Sequence, residues 1–81
     1  MNESTIREIL RTYIVRELIR DVSYPLTNEE GIISGGLMDS FSLASLGVFI
    51  EEQFDVYIPD PELTVTQMDN LDQIVSRVLQ G

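Results

Sequence analysis

Between Gly35 and Asp55 two adjacent glycines lead through Asp39 and Ser40 into a run where Leu43, Leu46, Phe49, Ile50 and Phe54 recur at steps of three and four. That spacing places all five on one face of a helix, which must be buried against other elements. Asp39 is among the strongest helix N-cap residues, so the expected helix runs from about Ser40 to Phe54 with the Ser40 hydroxyl at its start. Amides at a helix start have no intrahelical partner and lie at the positive end of the helix dipole, so a phosphate on the Ser40 oxygen would be favoured. Asp-Ser at a helix start is also ordinary capping chemistry, and the dipeptide alone does not separate the two readings.

The chain is 81 residues long and reads as a single domain, residues 1–81, near the lower size at which a core forms without staples. It contains no cysteine, histidine or lysine. Disulfides, thiolate nucleophiles, imidazole bases or ligands and Schiff-base lysines are therefore excluded, and this is poor material for an enzyme. The net charge of −9 is unevenly distributed: four acids and four arginines cancel up to Asn28, whereas ten acids face only Arg77 from Glu29 onward. Such a half repels nucleic acid and anionic lipid and attracts basic protein patches, although an acidic face also serves solubility alone. No apolar run approaches membrane-spanning length, and Met1-Asn2-Glu3-Ser4 lacks the basic start of a signal peptide, so a cytoplasmic location is expected.

Three further segments flank the central run. Ile6, Ile9, Leu10, Tyr13, Ile14 and Leu18 predict an amphipathic helix to about Arg20, widened by Val15 and Ile19 and capped by Asn2, Ser4 or a Thr5/Glu8 box. Asp21 to Met38, with Pro25, Gly31, Gly35 and Gly36, reads as a long connection in which Val22, Leu26, Ile32, Ile33 and Leu37 pack on the core. After Phe54, Pro59 and Pro61 rule out continued helix and leave one extended stretch. Thr64 caps a single turn to Met68, and Asp69 or Asn70 caps a last helix from Leu71 to about Gln80, with Leu71, Ile74, Val75, Val78 and Leu79 inward. The expected fold is all-α, with three main helices, one short helix and a long first loop. Gly47, inside the central helix, suggests close approach by another backbone.

Asp39-Ser40-Phe41 followed by Leu43, Leu46, Phe49, Ile50, Glu51, Glu52, Phe54 and Ile58-Pro59-Asp60 resembles the acyl carrier protein family, over about Ile6 to Leu79. The resemblance implies a four-helix acyl-carrier-protein-like bundle in which Ser40 carries a 4'-phosphopantetheine arm taken from coenzyme A by a phosphopantetheinyl transferase. It implies shuttling of a thioester-linked acyl group between enzymes of a fatty acid, polyketide or related pathway. Asp39, Glu51 and Glu52 would then recognise basic patches on the transferase and on acyl- or aminoacyl-loading and processing enzymes, with the protein acting as a monomer. Met38, Phe41 and Val48 would form a small apolar contact patch, though Met38 and Phe41 are equally readable as core. Ile33-Ser34-Gly35-Gly36-Leu37-Met38 departs from the family's commoner leucine-glycine-any-aspartate-serine sequence, and Ser42 and Ser45 stand where acids are frequent.

Two alternatives accompany this reading. One is an aminoacyl or peptidyl carrier loaded by an adenylating ligase; the other is an unmodified protein-interaction module with the same fold. Glu29-Glu30, Glu51-Glu52 and Asp69 with Asp72 match no calcium loop, so no metal site is expected.

Overall fold

The computed structural model describes every residue, Met1–Gly81, as an all-helical bundle. Helix α1 spans Glu3–Tyr13 and runs on without a break as a π-helical segment, Ile14–Leu18. Helix α2 spans Ser42–Phe54, a 3-10 turn Asp60–Glu62, the one-turn α3 Val65–Met68, and α4 Leu71–Gln80. No helix is long and apolar enough to cross a membrane.

The helix ends follow local chemistry. Asn2 caps α1, its Oδ1 accepting the Thr5 amide at 2.8 Å. Asn70 caps α4 in a capping box with Gln73, whereas the Thr64 side chain makes no cap bond to α3. The first helix closes by a wide turn: Ile19 N donates to Ile14 O at 2.8 Å and Asp21 N to Val15 O at 2.8 Å. This seven-residue closure, Val15 to Asp21, turns on a left-handed residue, Arg20 at φ 64.

Ile6, Leu10 and Ile14 of the first helix, Leu43, Leu46 and Ile50 of α2, and Leu71, Ile74, Val75 and Val78 of α4 make up most of one buried cluster. Helix α1 lies directly on α4. Leu26, Ile32 and Met38 from the long loop and Val56 and Ile58 from the extended stretch complete the core. Two residues expected inside are outside: Val22 is 74 % exposed on the turn after Arg20, and Leu79 is exposed on the last turn of α4.

The residues between Arg20 and Asp39 hold no regular helix, yet they are tied down at both ends. Arg11 reaches from α1 to Leu26 O (3.2 Å) and Asn28 Oδ1 (2.8 Å), and Asn28 O accepts the Asp72 amide at 3.0 Å. Thr27 and Glu30 bond each other's amides, and the Tyr24 hydroxyl donates to Glu30 Oε2 at 2.6 Å. Those donors, the Thr27 amide first, hold the Glu30 carboxyl below its ordinary value.

Candidate functional site

The approach to Ser40 is set by two glycines and one carboxylate. A Cβ on Gly35 would lie 2.3 Å from Gly31 O, so only glycine fits that crossing, and Gly36 has φ 79, where a side chain is strained. Opposite them, Asp69 Oδ1 accepts the amides of Ile33 (2.9 Å) and Ser34 (3.0 Å), and Oδ2 accepts Ser34 Oγ at 2.5 Å. Ile32 N also donates to Asp69 O at 2.6 Å. Burial pushes the Asp69 carboxyl up, but the donors from Ser34 and Ile33 outweigh it and hold the group below its ordinary value.

The expected helix start shifts by two residues, because Ser40 and Phe41 form a tight turn before α2 begins at Ser42. Ser42 N donates to Asp39 O at 3.1 Å and Leu43 N to Ser40 O at 3.2 Å, an i to i+3 pattern that tightens the first turn. Asp39 still caps it, Oδ1 accepting the Ser42 amide at 3.1 Å. Ser40 is exposed, its hydroxyl takes no part in the Asp39–Ser42 bonds, and the amides of Ser40 and Phe41 donate to no backbone acceptor. An exposed hydroxyl thus stands beside two free amide donors at a helix start.

Of the apolar residues read around Ser40, the structure separates three. Phe41 is 86 % exposed and Val48 57 % exposed, whereas Met38 is 7 % exposed and belongs to the core. Met38 therefore is no surface contact: its amide and that of Leu37 donate to Ile32 O, which turns this end of the loop against the bundle.

Beside Ser40, α2 and the Ile58–Leu63 segment enclose a groove. A cavity of about 270 Å³ is lined by Ser40, Phe41, Leu43, Ala44, Asp60 and Leu63. Ala44, Asp60 and Leu63 are shared with an adjoining cavity of about 180 Å³ that continues past Val48 and Tyr57 to Glu51. The charged residues lining both are acids, Asp60 and Glu51. Gly47 belongs here: its missing Cβ would lie 3.1 Å from the Leu63 side chain, so a side chain and not another backbone approaches it. Glu52, though adjacent to Glu51, faces a different groove, against Tyr13, Ser45, Val48 and Phe49. No three acidic side chains gather as ligands of a metal ion.

The sequence reading missed Asp69 and Leu63. Asp69 looked like a helix cap, and only its distance in sequence from Ser34 hides that it holds the loop. Leu63 carried no signal, since a lone leucine between two prolines and a threonine fits no period. No protein-family model matches the chain, and no curated protein matches it.

Proposed function

We propose that this protein is a carrier of the acyl carrier type, bearing a 4'-phosphopantetheine arm on Ser40 and passing a thioester-linked acyl group between enzymes. The observation that carries the reading is Ser40 itself: an exposed, unbonded hydroxyl on an Asp39-capped turn, with the Ser40 and Phe41 amides free beside it. These residues fit a phosphodiester, because free amides at the positive end of a helix favour an anion. The arm, when attached, supplies the terminal thiol that holds the acyl group.

The chain's own residues do the rest. Asp39 fixes the turn, Asp69 holds the loop leading into it, and Phe41, Leu43, Ala44 and Leu63 offer an apolar groove beside the attachment point. Phe41 and Val48 with Glu51 give partner enzymes an apolar and acidic contact, which suits basic docking patches. The four-helix carrier fold belongs to the same reading, supported by the order of three main helices and one short one and by the long first loop.

Transfer of a fluorescent label from a coenzyme A conjugate by a broad-specificity phosphopantetheinyl transferase tests this. Labelling of the wild type and none of Ser40→Ala is the expected result. Labelling of neither with several transferases would leave an unmodified interaction module as the better account, and equal labelling of both would place the attachment at a residue other than Ser40. Offering the modified form to acyl-transferring and to aminoacyl-adenylating enzymes then identifies the cargo.

A further inference from the structure

The second groove, on the flank of α2 that faces α1, is built on an aromatic pair. Tyr13 and Phe49 stack with ring centroids 3.9 Å apart and planes 11° from parallel, and Phe54 meets Phe49 edge-on at 6.3 Å. Open cavities flank the pair: about 480 Å³ on the α1 side, where Ile9, Arg16 and Glu17 line it, and about 280 Å³ on the α2 side, where Val48 and Glu52 do. Tyr13 is the last residue before the helix widens into its π-turn, a feature that recurs at functional sites.

The charges around the pair select the occupant. Glu8 also faces the groove but is held by Arg11, which leaves Glu17 and Glu52 as the unpaired acids against one unpaired cation, Arg16, in the α1-side cavity. Glu17 shares the α1-side cavity with Tyr13 and Glu52 shares the α2-side one; burial raises the Tyr13 hydroxyl above its ordinary value, and these two acids raise it further. A second copy of a chain carrying −9 is repelled, as are anionic lipid and nucleic acid. A cation over aromatic rings beside carboxylates is attracted by both.

We propose that the α1–α2 groove around Tyr13 and Phe49 is a docking surface for a basic segment of a partner protein. Aliphatic stems of the segment lie against the exposed parts of the pair, and its basic groups meet Glu17 in the α1-side cavity and Glu52 in the α2-side one. This assigns the neighbouring acids Glu51 and Glu52 to separate surfaces, one beside the Ser40 groove and one facing α1. The inference does not depend on any modification of Ser40.

The test is an NMR titration of the isotope-labelled protein with a helical leucine–arginine peptide, and with its leucine–glutamine counterpart. Shifts centred on Ile9, Tyr13, Glu17, Phe49 and Glu52 are expected with the arginine peptide alone. Binding should weaken about tenfold in Glu17→Gln/Glu52→Gln, the sum of two exposed charge contacts, and less than about twofold in Glu51→Gln. The proposal is overturned by shifts centred on Glu51, Tyr57 and Asp60, by shifts spread evenly over the acids or absent, by equal binding of the glutamine peptide, or by unchanged affinity in the double variant.

Discussion

The Asp69 carboxylate is the point at which the loop before Ser40 is fixed to the junction of α3 and α4. Its three acceptor bonds reach residues 33 and 34, so its loss releases the segment that delivers Gly35, Gly36 and Asp39. Asp69→Ala should cost about 2 kcal/mol, the scale for bonds to a charged acceptor, read as a shift in urea midpoint. The pH dependence has a fixed sign. The folded value lies below the unfolded one, so the unfolded chain takes up the proton first. This contribution is whole above the ordinary carboxylate value of about 4 and is lost as pH falls through the lower folded value. Asp69→Asn should lack that part of the acid slope; parallel curves for variant and wild type would contradict it. Gly35→Ala puts a methyl against Gly31 O and should destabilise by about 1–3 kcal/mol in the same assay.

At the scale of the elements, periodicity was a good guide wherever a helix buries one face. The inward residues Leu43, Leu46 and Ile50, and Leu71, Ile74, Val75 and Val78, were legible because three- and four-residue steps map directly onto a buried stripe. Ends were less legible. The sequence does not distinguish α-helical from 3-10 or π hydrogen bonding, so the start of α2 at Ser42 and the widening of the first helix after Tyr13 leave no pattern in it. Long-range ties such as Arg11 to Leu26 and Asp69 to Ser34 leave no local pattern at all. The corner at Arg20 gives an element-level prediction. A non-glycine residue at φ 64 is strained, so Arg20→Gly should stabilise the protein by about 1 kcal/mol, raising its melting temperature. Asp39→Ala removes the cap of the opening turn and should cost about 1 kcal/mol, measured the same way.

The whole molecule carries its charge asymmetrically, and the two exposed grooves inherit it. Three of the five arginines are taken up in ion pairs within the chain: Arg7 with Glu3 and Asp72, Arg11 with Glu8, and Arg77 with Glu62. The acids flanking α2, Asp39, Glu51, Glu52 and Asp60, form no ion pair. A net charge of −9 opposes compaction, so screening it should raise the melting temperature by a few degrees between about 10 and 200 mM sodium chloride. The central claim concerns one atom on this acidic surface, the Ser40 Oγ. Intact mass of the wild type and Ser40→Ala, each incubated with coenzyme A and a broad-specificity phosphopantetheinyl transferase, tests it most directly. The account predicts a gain of one phosphopantetheine group on the wild type and none on the variant; an unchanged wild-type mass, or the same gain on Ser40→Ala, would contradict it.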